Sequence, residues 1–429
     1  MGGMKIRQIT ADERPATMLP LQAYAFDSSP WTEEGEDRYR RRMVYYQTVT
    51  SLIAEVGGQA LACVGAFPMR QNVRGAVLDM AGVASVAAHP SARRRGFVRQ
   101  LLDRLLLQMR DQGCAVSALY PFRPSFYGRL GFVGVPRART AAFAPAGLSH
   151  LVRAELPGAV ERMPMREAFE EYDAFTRRLL LERHGFAVFD EVRTAEFRED
   201  KVWVAVARVD GEVVGAVRYR VDRFGGDLVG QDLLTTGPLG RALLLQYFAR
   251  HVDQVAQIVL TIGTDEVPDL WGTDMAVVTQ GTVAYPRDGG PMVRILDMAA
   301  LDGMPVGRGA VTVEVVDDPL IGGVYRLDGN GDGSGDGNGD GSGDGSGSGD
   351  GSGSGSGNKN GNKNGGRLTV TKGATPTATL TAAGLSGLVY GVLDPIDVVT
   401  RGFGQVDSDA IAPLRALFPG AMPYLWADF

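Results

Sequence analysis

Three arginines followed by a glycine, residues 93–96, stand between an apolar run and a segment whose apolar residues recur with helical spacing. A helix start leaves backbone N–H groups free, and these groups together with the helix dipole favour an anion such as pyrophosphate. Guanidinium groups bind phosphate oxygens bidentately. The pattern therefore predicts a phosphate-binding turn, with a solvated charged surface as the alternative.

Tyr127 is the candidate proton donor, within the run Phe-Tyr-Gly-Arg-Leu-Gly-Phe at residues 126–132. A phenol has a pKa of about 10 and a thiol a pKa of about 8.5, so a tyrosine within hydrogen-bond reach can protonate a departing thiolate. The alternative for this residue is a packing aromatic at a helix start.

Both segments resemble the GCN5-related N-acetyltransferase (GNAT) family. Arg93-x-x-Gly96-x-Val98 is similar to the R/Q-x-x-G-x-G/A signature that holds the pyrophosphate and pantetheine of coenzyme A, although Val98 stands where Gly or Ala is usual. The triple Arg before Gly and the later Tyr-Gly-Arg-x-Gly-Phe segment resemble the enhanced-intracellular-survival (Eis) type of this family. The resemblance is strong in residues 1–150 and weak in the middle of the chain.

The resemblance implies acetyl-coenzyme A as co-substrate and no metal. Backbone amides at the end of the apolar strand would hydrogen-bond pantetheine and polarise the thioester carbonyl, as an oxyanion hole does; an ordinary buried strand is the alternative. Phe122 and Arg123 match only by position. The expected cofactor-binding residues are Val86, Ala87, Ala88, Arg94, Arg95, Gly96, Phe97, Val98, Arg99, Phe122 and Arg123.

The same resemblance assigns the acid and the base. Tyr127 is expected to be the general acid, and the C-terminal carboxylate of Phe429 the general base, because the sequence ends in an acidic residue and Phe as Eis-type chains do. An apolar tail around that carboxylate would raise its pKa from about 3.5 toward a useful basicity.

The substrate class is also implied by resemblance. Eis-type enzymes acetylate amines of polycationic small molecules, aminoglycosides included, through a wide acidic cleft. Asp27 and Trp31, by position, and Asp428 are expected to supply negative charge and an aromatic wall. A protein lysine as acceptor and a non-catalytic lipid carrier or regulator remain alternatives, and Val98 favours the carrier.

Composition narrows the class of protein. A net charge of -6 over 429 residues argues against a nucleic-acid binder. Cys63 and Cys114 cannot make a disulfide framework, which favours a reducing cytoplasm. Scattered histidines argue against a metal site, and we expect neither a targeting signal nor a membrane segment. A homo-hexamer acting on a small-molecule amine is implied by the resemblance.

The elements that would position these residues are of mixed α/β type. In residues 1–150 the patterns predict a capped helix from Thr10 toward Phe26, a helix at 33–46, and strands at 50–56, 60–68 and 76–87. Residues 151–290 repeat that plan. At 236–241 they lack R-x-x-G, and Pro238 removes an N–H donor, which indicates an inactive second GNAT-like domain.

Residues 291–429 are predicted to form an α+β domain resembling sterol carrier proteins. Its strands are expected at 291–297, 310–316, 322–327 and 367–371, and its helices at 381–392 and 408–418. Residues 329–366 form a tract of Gly, Asp, Ser and Asn without apolar residues, which predicts a disordered insertion. A calcium site in this tract is the alternative.

Overall fold

The computed structural model describes residues 3–27, 29–331, 365–427 and 429. Its strands are β1 Lys5–Ile9, β2 Thr50–Val56, β3 Gln59–Val73, β4 Ala76–Ala88, β5 Val116–Leu119, β6 Val133–Gly134, β7 Arg139–Phe143, β8 Ala159–Pro164, β9 Ala187–Phe189, β10 Trp203–Val209, β11 Glu212–Val221, β12 Asp227–Thr235, β13 Gln257–Ile262, β14 Val277–Gln280, β15 Met292–Ile295, β16 Pro305–Val306, β17 Ala310–Val316, β18 Gly323–Gly331, β19 Gly366–Lys372, β20 Ala378–Thr381 and β21 Gly404–Val406. Its α-helices are α1 Arg14–Thr17, α2 Leu19–Phe26, α3 Glu33–Arg42, α4 Phe97–Asp111, α5 Pro124–Gly128, α6 Ser149–Val152, α7 Met165–Glu182, α8 Glu191–Thr194, α9 Pro238–Ala249, α10 Ala382–Val389, α11 Pro395–Thr400 and α12 Ser408–Leu417.

The strands form three mixed sheets. The first has the order β1-β2-β3-β4-β5-β15-β6, with β9 paired to β3. The second has the order β14-β7-β13-β12-β11-β10-β8, and the third β16-β19-β18-β17-β20-β21. Helices accompany each sheet, so the predicted mixed α/β class is confirmed. The likeness of the third sheet and its helices to sterol carrier proteins stays a prediction.

Strand exchange links the three sheets. β7, which was expected within residues 1–150, pairs with β13 and β14 of the second sheet. β15, expected to open the third domain, lies between β5 and β6 of the first sheet. The sheets therefore do not divide at residues 150 and 290, because apolar periodicity predicts an element's type and not its partner. The division into three domains stays a prediction.

Proline changes the first predicted helix. Thr10 and Glu13 form the expected capping box, but the helix toward Phe26 is divided into a short turn, α1 and α2. Pro15 and Pro20 stand in the first turns of α1 and α2, where their missing N–H groups cost nothing. The strands and helices expected at 33–87 are present as α3, β2, β3 and β4.

The end of β4 positions the site. β4 pairs in parallel with β5 only from Met80 to Val83, whereas its pairing with β3 continues to Ala88. Ser85 has a φ of +58° beside a register shift, so a bulge turns the strand just after β5 separates from it. The free edge of β4 after Val83 is therefore available to a ligand.

The Gly-rich insertion is shorter than predicted. Residues 329–331 belong to β18 and residue 366 to β19, where Gly331 pairs with Arg367. Backbone pairing extends into the tract because a ladder needs no apolar side chain. Most of the predicted insertion, 332–364, and the alternative calcium site lie outside the described residues. No described helix has both the length and the apolarity needed to cross a bilayer.

Candidate active site

A cavity of about 540 Å³ lies against the free edge of β4. Residues 83–86 form one wall. Aromatic side chains form most of the rest, from Phe26, Tyr39, Tyr46, Phe67, Tyr120, Phe122, Tyr127 and Phe429. Thus both predicted catalytic residues and one predicted cofactor-binding residue of β4, Val86, line one cavity. Ala87 is buried and Ala88 half-buried beyond it.

The basic turn leads from β4 into α4. Arg94 and Gly96 have φ angles of +61° and +81°, and Gly96 is the residue immediately before α4. Alternating left-handed residues and the first turn of a helix both point N–H groups outward, as an anion site requires. Arg94, Arg95 and Arg99 are exposed beside these N–H groups.

The residue that departs from the family signature does not obstruct the turn. Val98 is half-buried and packs against the core under α4, as does Phe97, which is 6% exposed. The branched side chain of Val98 therefore lies on the core side of the helix, and its backbone position in the first turn is unchanged. Phe122 and Arg123, which follow β5, are exposed.

Tyr127 lies on α5 and is only 1% exposed. Its ring is surrounded by Phe122, Phe126 and Phe132, with centroids 5.4, 5.0 and 6.2 Å away. This burial raises the pKa of Tyr127 above its ordinary value. The phenol therefore stays protonated over the working pH range and can donate a hydrogen bond.

The ring of Phe429 lies in the cavity wall between Tyr120 and Phe189. Its ring centroid is 5.6 Å from that of Tyr120 and 6.2 Å from that of Phe189. The preceding residues Leu425, Trp426 and Ala427 are buried, and the Tyr120 hydroxyl donates to the Ala427 carbonyl at 3.1 Å. A β-carbon at Gly82 would lie 3.2 Å from the Phe429 ring, so this glycine leaves the space that the ring occupies.

Two of the three predicted substrate residues, Asp27 and Trp31, do not line the cavity. Asp27 caps the end of α2 and is exposed, and it does not line the cavity. Trp31 contacts Tyr39, 5.7 Å between centroids, and so stands one ring behind the wall. Asp428 lies outside the described residues. Position alone had assigned Asp27 and Trp31, and the structure places neither of them in the cavity lining.

Two arginines in the wall, Arg193 and Arg287, were not predicted. Arg193 comes from α8, in a stretch of mixed charge that carries no recognisable motif. Burial lowers the pKa of Arg193. No acidic side chain lines the cavity in the described part of the chain, in contrast to the expected acidic cleft. Among the same residues no cluster of three metal-ligating groups is present.

The comparisons with known proteins agree with this geometry. Residues 5–134 match the family model described as an acetyltransferase (GNAT) domain. An uncharacterized N-acetyltransferase of Streptomyces coelicolor is 28% identical over 231 residues, covering 48% of this chain and 54% of the relative. The match thus spans about half the length of that relative.

Two further similarities concern the Eis type. N-acetyltransferase Eis of Mycobacterium tuberculosis is 38% identical over 80 residues, 18% of this chain and 19% of the relative. The crystal structure of Eis1 from Mycobacterium abscessus aligns over 100% of both chains with a TM-score of 0.72 and 17% identity, which shows a common fold. Residues 5–134 are therefore a GNAT-type acetyltransferase domain, in a chain that shares its fold with Eis1 and is similar in sequence to Eis over 80 residues.

Proposed function

We propose that this protein transfers the acetyl group of acetyl-coenzyme A to the amine of a small molecule. The single observation that carries the proposal is the free edge of β4 after Val83. It runs from a cavity lined by Tyr127 and Phe429 toward the basic turn at the start of α4. An extended pantetheine chain needs a strand edge to pair with, and a pyrophosphate needs a cationic helix start.

In this arrangement different segments of the chain bind different parts of coenzyme A. Arg94, Arg95 and Arg99, with the N–H groups at residues 96–99, would hold the pyrophosphate. The backbone of 86–88 would pair with pantetheine, while Phe122 and Arg123 would border it on the side of β5. The thioester would then lie in the cavity, where N–H groups of the β4 edge polarise its carbonyl.

The proposed reaction is a direct aminolysis. The neutral amine attacks the thioester carbonyl carbon, so that a C–N bond forms and the C–S bond breaks. The proton lost by the amine passes to the carboxylate of Phe429, and the Tyr127 hydroxyl donates its proton to the departing sulfur. The products are an N-acetyl amide and coenzyme A thiol.

The class of acceptor amine has less structural support than the acetyl donor. An aminoglycoside-like polycation is what the Eis resemblance implies, and the cationic wall of the cavity does not favour it. A protein lysine is a second acceptor, and a lipid carrier a second function, although a cavity lined by Tyr127 favours catalysis over carriage. A cytoplasmic homo-hexamer remains the prediction for compartment and assembly.

Thiol release from acetyl-coenzyme A tests the proposal. Protein ending at Phe429 is assayed with kanamycin, a lysine-containing peptide and amino acids, against a control without acceptor. Acceptor-dependent thiol release together with an acetylated product supports a transferase. Absence of coenzyme A binding in calorimetry would contradict the proposal and favour the carrier.

A further inference from the structure

Two buried guanidinium groups lie against Tyr46, a ring of the cavity wall. Arg193 is 8% exposed and lines the cavity, and its Nε has no hydrogen-bond partner among the described residues. Arg14 is fully buried and does not itself line the cavity. It donates to the Ser51 hydroxyl through Nη1, while its Nε and Nη2 are without partners in the described chain. Buried donors left in this state are costly unless a ligand satisfies them.

Aromatic rings hold both groups in place. The Cζ of Arg193 is 4.9 Å from the ring centroid of Phe189, 5.5 Å from that of Phe67 and 5.6 Å from that of Tyr46. The Cζ of Arg14 is 5.2 Å from the same Tyr46 ring. Cation–π contacts of this kind fix a guanidinium without neutralising it. The site is therefore rigid and remains cationic.

Carboxylates near this site do not balance its charge. Glu196 forms ion pairs with both Arg193 and Arg42, so that one carboxylate serves two arginines, and the described structure gives Arg14 no carboxylate within 4.0 Å. Asp190 accepts from the Arg193 backbone N–H at 2.8 Å, and the charges of Asp190 and Asp200 reach the Arg193 guanidinium only from a distance. A local excess of positive charge in a desolvated cleft attracts anions and repels cations.

Arg287, on the opposite wall, adds a further cation and is exposed. The adjoining cavity, of about 500 Å³, does contain Asp232 and Asp288. Each of them is already paired, Asp232 with Arg218 at 2.9 Å and Asp288 with Arg137 at 3.3 Å. Among the described residues, the two cavities together therefore provide no unpaired acidic side chain for a polycation, and the terminal carboxylate of Phe429 is already assigned to the base.

We propose that the acceptor is an amine that also carries a carboxylate, bound through Arg193, with Arg14 adding positive charge beside Tyr46 and an apolar or aromatic body of the acceptor against the rings of the cavity. The inference rests on the proposed acetyl transfer. A free amino acid with an aromatic or branched side chain has this chemistry.

Matched pairs of acceptors test the inference. Phenylalanine, tryptophan and leucine are each compared with their C-terminal amides, which keep the α-amine and the side chain but lack the anion. We expect kcat/KM, calculated per neutral amine, to be at least about tenfold higher for the acids than for the amides, since a charge-assisted bidentate contact is lost. Kanamycin should be a poor acceptor. Equal or better use of the amides, or a preference for kanamycin, would overturn the inference and leave the transferase intact.

Variants localise the effect. Arg193→Lys keeps the charge but loses the planar fork, and should raise KM for the acids more than KM for the amides. Arg198→Lys is the matched control, because Arg198 lies in the same segment but outside the cavity, and it should change neither. An equal loss with acids and amides in Arg193→Lys would show a packing role alone.

Calorimetry separates failure of the inference from failure of the proposed function. Binding of phenylalanine but not its amide, without thiol release, would keep the anion site and contradict the transferase. Thiol release with other amines, without any binding of the amino acids, would support the transferase and contradict the anion site. Absence of both amino-acid binding and amino-acid turnover overturns the inference.

Discussion

At the scale of single residues, the environment of Tyr127 separates two roles that a catalytic phenol can have. Burial keeps it protonated, which suits a hydrogen-bond donor. Complete transfer of its proton to a thiolate of pKa about 8.5 from a phenol above 10 costs more than about 2 kcal/mol. Tyr127 is therefore suited to stabilise charge as it develops on sulfur, with proton transfer completed as the C–S bond breaks.

The substitution Tyr127→Phe removes this donor without removing the ring. We expect kcat to fall by about 10²–10⁴-fold, the usual range for a general acid, while the Kd for coenzyme A changes by less than about twofold. Stopped-flow thiol release and calorimetry measure the two quantities. Tyr45→Phe, a half-buried tyrosine outside the cavity, serves as control. Parallel losses of turnover and coenzyme A affinity would indicate that Tyr127 only packs.

At the scale of elements, the start of α4 and the edge of β4 are the parts that sequence reasoning located best. The apolar run, the Arg triplet and Gly96 each constrain local backbone, and local patterns are what a single sequence carries. Arg14 and Arg193 could not be found in this way. They come together only because α1 and α8, far apart in the sequence, both place an arginine against the ring of Tyr46.

The basic turn should affect binding only of an acetyl donor that carries a pyrophosphate. The double substitution Arg94→Gln and Arg95→Gln is expected to raise the Kd for coenzyme A by about tenfold or more, since two charge-assisted contacts are lost. The rate with acetyl-pantetheine, which lacks the pyrophosphate, should be unchanged. Arg104→Gln, an exposed arginine farther along α4, is the control. A similar loss with acetyl-pantetheine would mean that the turn supports the fold and does not bind phosphate.

At the scale of the whole molecule, the first sheet and the C-terminal part are joined by polar contacts around His184. The Arg74 N–H donates to His184 Nδ1 at 3.0 Å, and the other ring nitrogen lies 3.0 Å from the Tyr390 carbonyl, just beyond α10. Arg74 itself donates to the carbonyls of Val389 and Pro419. The sequence did not indicate these hydrogen bonds between the first sheet and the C-terminal part, because they join scattered polar residues without periodicity.

Acid should weaken the hydrogen bonds around His184. Burial lowers the pKa of His184 from 6.5 to about 4, so between these values the unfolded chain binds a proton that the folded chain does not. The free energy of unfolding should therefore fall as pH drops from 6.5 toward 4, by at most about 3 kcal/mol. Urea titrations at pH 7.5 and 4.5 measure it. The free energy of unfolding of His184→Gln should fall less between these pH values than that of the wild type, whereas exposed His150→Gln should behave as the wild type. An equal fall in all three proteins would exclude His184 as the cause.

The docked tail gives a further prediction at this scale. A flexible Gly-Ser segment added after Phe429 turns its carboxylate into an amide, and we expect turnover to be lost while the Kd for coenzyme A is kept. The same segment at the N-terminus is the control, and thiol release with calorimetry provides the measurement. Full activity of the C-terminally extended protein would exclude the terminal carboxylate as the base.

The strand exchange described above also bears on how the protein is made. A nascent chain of 150 residues already contains the basic turn and Tyr127, yet it lacks β9, β15 and the tail that complete the first sheet and its cavity. The ribosome must therefore add nearly 280 further residues before the first-made part can close around its ligands. Until then the apolar edges of that part stay exposed, and its early folding depends on protection from other chains.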